Sequence, residues 1–128
     1  QHRMLVSSSV SRRMSGADEA LVAAKHLVGL PGIGVEEACR RVTYVHFLCE
    51  AHQLVFAEGA ATESLLPGAQ ALRSLTEAAR AEIFGLFPEL AEAEPAPVAA
   101  RPLLGGRQGR RLAARHQRNG QALVQVSV

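Results

Sequence analysis

The chain has 128 residues, of which 48% are apolar and 20% charged. That is enough for one modest domain with its own core, and a folded soluble domain is the expectation rather than a disordered chain. The net charge of +2 conceals an asymmetry: residues 1–100 carry 8 Lys/Arg against 12 Asp/Glu, a net of −4, while residues 101–128 carry 6 Arg and no acid, a net of +6.

No uncharged apolar run is long enough to span a bilayer, and Gln1–Ser9 carries charge early and has no apolar h-region, so neither a membrane span nor a signal peptide is expected. The first residue is Gln rather than Met, which reads as a processed or truncated chain. Two cysteines, Cys39 and Cys49, are too few for a disulfide scaffold; one bridge between them stays open.

In chain order, Arg3–Ser8 reads as a short strand with Met4 and Val6 on one side. Ser7–Gly16 is polar and reads as a loop ending in Ser15-Gly16. Glu19–Val28 allows two readings, a helix favoured by its Ala and Leu content or a buried strand at Ala20-Leu21-Val22 that runs into a helical turn. Gly29–Gly34 is a turn cluster without the context of a phosphate loop.

Val42–Cys49 is the most strand-like stretch. Val42, Tyr44, His46 and Leu48 alternate with Thr43, Val45, Phe47 and Cys49, and both faces are largely apolar, so a central, covered strand is expected. Glu50-Ala51-His52 makes a turn and Gln53–Ala57 the return strand. A second tight turn follows at Glu58-Gly59, with Gly59 at positive φ.

Beyond Pro67-Gly68 the pattern becomes helical. Ala69–Leu75 makes one short helix, and Ser74 and Glu77 have the spacing of a capping box for a second, in which Ala79, Ile83, Leu86 and Leu90 recur and which Pro88 disturbs near its end. Glu92–Pro102 reads as an extended linker. Leu103–Asn119 reads as an Arg-rich helix capped at Asn119-Gly120, and Gln121–Val128 as a last strand or a disordered tail.

Several segments together resemble the C-terminal part of a bacterial Hint (hedgehog/intein) domain, of the kind found in marine alphaproteobacteria. They are Gln1–Val6; Asp18–Val22 with Ala24–Leu27; Val42–His46; Ala57-Glu58-Gly59 running into Thr62-Glu63-Ser64; Phe87–Leu90; and Arg101–Leu103. The fold this resemblance implies is α+β, a partial all-β Hint core followed by C-terminal helices. Its segments are the core half over 1–66, a helical extension over 67–91, a Pro-rich linker over 92–102, and a basic helix and tail over 103–128.

The resemblance also implies self-processing chemistry. A Hint domain opens with a Cys or Ser that attacks the preceding carbonyl and converts a peptide bond to a (thio)ester, leading to cleavage or splicing. A histidine in a Thr-x-x-His block protonates the departing amide nitrogen, because an amine leaves poorly without a proton. His2 falls on that histidine, and the Thr would lie three residues before it. His52 lies where inteins carry a further histidine. Inteins end in His-Asn, and Glu63-Ser64 stands at that place here, which leaves hedgehog-type thioester formation. Neither Cys39 nor Cys49 opens the chain, so the fragment is expected to be inactive by itself. The implied partner is its own upstream polypeptide, with self-association through an exposed strand edge. The parent is expected to be bacterial and soluble, either cytoplasmic or secreted.

No cofactor is implied. His46, Cys49 and His52 form H-x2-C-x2-H, but strand alternation sets 46 and 49 on opposite faces and no fourth ligand is evident, so no metal site is expected. Arg107, Arg110, Arg111, Arg115 and Arg118 build a basic stripe. It suits either contact with nucleic acid or an anionic membrane surface, in a non-catalytic binding module, or docking on the acidic body.

Overall fold

The computed structural model describes residues 2–92 and 97–124. The chain is α+β and divides into two compact units. The larger comprises Gln1–Tyr44, Val55–Glu63 and Arg101–Val128; the smaller comprises Val45–Leu54 and Ser64–Ala100.

The larger unit is organised on β2 (Ala20–Ala23), which pairs antiparallel with β1 (Arg3–Val6) and parallel with β5 (Leu103–Leu104). All four β2 residues are buried, as suits a strand with neighbours on both edges. The strand reading of Ala20-Leu21-Val22 is therefore the correct one, and Ala24–His26 follows it as a single 3-10 turn. Apolar packing outweighs the helix propensity of the Ala-rich segment here.

Helix α1 (Ser9–Ser15) stands where the polar composition suggested a loop. Ser8 caps it by accepting from the Ser11 N–H while the Ser11 hydroxyl accepts from the Ser8 N–H, and Gly16 closes it at φ 75°. Val10 and Met14, one turn apart, face the core. Helix α5 (Gly106–Asn119) packs on α1 and β2 through Gly109, Leu112 and His116, and Gly120 ends it at φ 63°. Leu103-Leu104, expected to begin this helix, is strand instead; Gly105 and Gly106 delay the helical start. The core of this unit joins Val6, Val10, Val22, Leu27, Leu104 and Leu112.

Strands β3 (Leu54–Ala57) and β4 (Ala60–Glu63) form a separate two-stranded sheet. Glu58 at φ 51° and Gly59 at φ 78° turn the hairpin, as expected of Gly59. The expected central strand Val42–Cys49 is not formed. The segment has no regular structure, and Val42, Tyr44, Val45 and Phe47 are exposed. Alternating apolar residues favour a strand only beside a hydrogen-bonding neighbour, and the neighbour expected for it, β3, pairs with β4.

The smaller unit carries α2 (Ala69–Arg73), α3 (Glu77–Leu86) and α4 (Glu89–Glu92). Thr76, not Ser74, caps α3, its hydroxyl accepting from the Ala79 N–H at 3.2 Å. Ser74 instead ends α2, donating to the Ala71 carbonyl at 2.7 Å. Pro88 separates α3 from α4, as a residue without an N–H does. Phe47, Leu48, Leu65, Ile83 and Phe87 line an apolar concavity of about 220 Å3. The expected linker over 92–102 and the tail over 121–128 lie partly outside the described residues. Among the described residues no helix is long and apolar enough to cross a membrane.

Candidate functional site

His2 lies directly before β1, whose first residue is Arg3. The His2 carbonyl accepts from the Ala24 N–H at 2.9 Å, which anchors the backbone beside β2. The half-buried imidazole stacks on Tyr44, with ring centroids 5.7 Å apart and planes at 26°. The next residue, Arg3, is tied to the end of the hairpin. Its guanidinium meets Glu63 at 3.0 and 3.3 Å, and its N–H donates to the same carboxylate at 3.2 Å. The Thr62 hydroxyl donates to the Arg3 carbonyl at 2.6 Å. The Glu63 side chain is only 5% exposed, so its charge is matched at close range by Arg3. The larger unit thus holds an imidazole, a phenol and a partly buried ion pair around the start of β1.

His52 belongs to the smaller unit. It is buried, and its Nδ1 accepts from the Ala100 N–H at 2.9 Å, which places the ring hydrogen of neutral His52 on Nε2. In the same unit Gln53 and Ser64 exchange two bonds, Gln53 N–H to Ser64 Oγ at 2.9 Å and Ser64 N–H to the Gln53 carbonyl at 2.9 Å. Glu63 and Ser64, at the place of the intein His-Asn pair, are thus engaged in an ion pair and in a backbone clamp. His2 and His52 lie in different units, and each is fixed by contacts within its own.

His46 is exposed and borders the apolar concavity. Cys39 and Cys49 are both free thiols; Cys39 is exposed and donates to the Arg41 carbonyl at 3.2 Å. Among the described residues no three His, Cys, Asp or Glu side chains cluster as metal ligands. Within the basic tail, Arg101 pairs with Glu19 at 2.6 Å. Arg107, Arg110, Arg111 and Arg118 are exposed on α5 and Arg115 is half-buried.

Three features escape a reading of the sequence. Tyr44 is one, because a ring 42 positions from His2 leaves no spacing signal. The second is the burial of Glu63 on Arg3. The third is His116, buried and bonded to Ser8, whose only signal is its seven-residue spacing from Gly109 on the inner side of α5.

These elements define a small α+β chain in which a histidine at a strand start sits beside a closed hairpin. Residues 1–69 match the family model of the Hint domain, and the chain belongs to the Hint-domain family. No curated protein and no solved structure matches the chain. The matched residues take in His2, His52 and Glu63-Ser64, whereas α3 to α5 lie beyond them.

Proposed function

We propose that this chain is the C-terminal part of a Hint autoprocessing domain and that His2 is its general acid. In the reaction, the Cys or Ser that opens the domain gives its proton to solvent and attacks the preceding carbonyl carbon. The C–N bond then breaks, the nitrogen takes a proton from His2, which recovers one from solvent, and an ester or thioester with a free amine remains. Neither Cys39 nor Cys49 is assigned the nucleophile's role, and residues 1–128 alone do not process.

The observation that carries this reading is that the family match takes in His2, directly before β1, and continues through the hairpin that holds β1 by Arg3–Glu63. An imidazole is suited to the step because it carries a transferable proton near neutral pH. His52 is the second catalytic residue of the reading, its ring oriented by the Ala100 N–H. Thioester formation rather than splicing is favoured, since Glu63 and Ser64 replace the His-Asn pair.

The test is expression within the parent reading frame, with an affinity tag ahead of the domain, followed by treatment with hydroxylamine or a thiol. Tag release is expected, and His2→Ala lowers its rate about 100-fold or more. Undiminished release from that variant removes His2 from the mechanism.

A further inference from the structure

The second feature with chemistry in it is basic and lies away from His2. A concavity of about 220 Å3 between α1 and α5 is lined by Arg13, Met14, Gln108, Arg111 and Arg115. Three guanidiniums from two helices face one opening, and no carboxylate lines it. Among the described residues none of Arg13, Arg107, Arg110, Arg111, Arg115 and Arg118 has an acidic partner. Like charges gathered without counter-charges raise the energy of the folded chain, and an anionic ligand offsets that.

The arrangement of α5 narrows the kind of anion. Arg107, Arg111, Arg115 and Arg118 follow one another at four, four and three residues, so they share a face and run about 16 Å at about 1.5 Å per residue. Of the four only Arg111 and Arg115 line the concavity, so the row extends past it at both ends and calls for an extended polyanion. The opposite face of α5, with Gly109, Leu112 and His116, is buried in the core, so the helix has no apolar side left to enter a lipid surface. Neither α1 nor α5 presents an exposed aromatic ring on which unpaired bases would stack, the one imidazole, His116, being buried. Arginine is suited to paired contacts with phosphate oxygens.

The geometry points to a binding surface for the phosphate backbone of duplex nucleic acid, formed by Arg13 of α1 with Arg111, Arg115 and the rest of the α5 stripe. Recognition there is independent of base sequence, because every contact is to phosphate. It is also independent of the self-processing reading: none of its residues touches His2 or His52.

Fluorescence anisotropy of a labelled duplex of about 20 base pairs and arbitrary sequence, titrated with the full chain over a series of salt concentrations, tests it. Binding at low salt is expected, and log K should fall against log salt at about −0.9 per neutralised phosphate, hence a slope steeper than about −2.5 for three or more contacts. Arg111→Gln with Arg115→Gln should flatten the slope by about 2 and weaken binding at least about 10-fold at low salt. Arg13→Gln, on the other helix, should flatten it by about 1. Arg40→Gln with Arg41→Gln removes the same charge from an exposed segment outside the concavity and should leave binding unchanged. Matching circular-dichroism melts keep loss of binding separate from loss of fold. The proposal is overturned by absent binding at low salt or by an equal loss in the Arg40/Arg41 variant. Phosphatidylserine–phosphatidylcholine vesicles or tripolyphosphate displacing the duplex at equal phosphate concentration would overturn it too.

Discussion

His116 Nε2 lies 2.9 Å from Ser8 Oγ, across 108 positions of sequence, and both side chains are buried. His116 Nδ1 is 3.1 Å from the Gln121 carbonyl, which only accepts, so Nδ1 carries a hydrogen. Ser8 Oγ also accepts from the Ser11 N–H at 3.1 Å. One imidazole therefore joins the N-cap of α1 to the chain just past the end of α5. His116→Ala removes a buried ring and leaves two polar partners unmatched, and we expect it to cost about 2–4 kcal/mol in urea unfolding. Ser8→Ala, which loses the cap, should cost about 1–2 kcal/mol. The double variant should cost less than the two singles together, because both remove the same bond. Strict additivity would show that the Ser8–His116 bond contributes nothing.

Gly109 explains how α5 approaches the sheet so closely. A Cβ there would lie 3.1 Å from His26 Cδ2 and 3.2 Å from Val22 Cγ1, and Val22 is fully buried. Glycine to alanine inside a helix ordinarily stabilises by about 0.5–1 kcal/mol. At Gly109 the crowding should reverse the sign, to a net loss of about 1–2 kcal/mol. Gly85 of α3, with nothing within 4 Å of its would-be Cβ, is the matched control and should gain stability on substitution. A stabilised Gly109→Ala variant in thermal unfolding would mean that α5 can shift away from β2.

How much of this the sequence carries depends on whether the deciding interaction is local. The hairpin turn at Glu58-Gly59, the short helix after Pro67-Gly68 and the close of α5 at Gly120 follow from residues beside one another, and all are legible. Helix α1 was legible too: Ser8, Ser11 and Gly16 are cap residues at cap spacing, and Val10 and Met14 make its inner face, but the serines read as loop. Val42–Cys49 fails for the opposite reason. Its alternation is real, yet a strand is a property of two segments, and its partner pairs elsewhere. Of the candidate site residues, His2 and His52 follow from family resemblance, while Tyr44 against His2 and Glu63 against Arg3 arise only when distant segments meet.

The Arg3–Glu63 pair tests whether β4 depends on β1. Glu63 receives the Arg3 guanidinium and the Arg3 N–H, and its side chain is 5% exposed against 29% for Arg3. The partial exposure of Arg3 softens the cost of stranding it. Glu63→Ala is expected to lose about 1–3 kcal/mol in urea unfolding, below the range for a fully buried pair. Glu63→Gln should retain part of that, since its amide oxygen still accepts from the Arg3 N–H. Equal losses in the two variants would assign the effect to the carboxylate charge alone, with nothing contributed by side-chain volume or by the Arg3 N–H bond that Gln keeps.

His26 gives the fold a pH dependence whose sign can be worked out. Its pKa is lowered from 6.5, first by burial and then by the positive charges of Lys25 and Arg110. The folded chain therefore holds the His26 proton less tightly than the unfolded chain does. Between the folded value and 6.5 the unfolded state binds more protons, so stability rises with pH in that window. The contribution is complete above 6.5 and is lost as pH falls below it. The ring also lies against Gly106 and Gly109, so protonation places a cation where α5 meets the 3-10 turn. Urea midpoints across about pH 5 to 8, taken for the natural chain and for His26→Gln, isolate this group from the other histidines. The natural chain should lose stability relative to the variant as pH drops below 6.5. A difference that stays flat, or that grows in favour of the natural chain in acid, would refute the assignment.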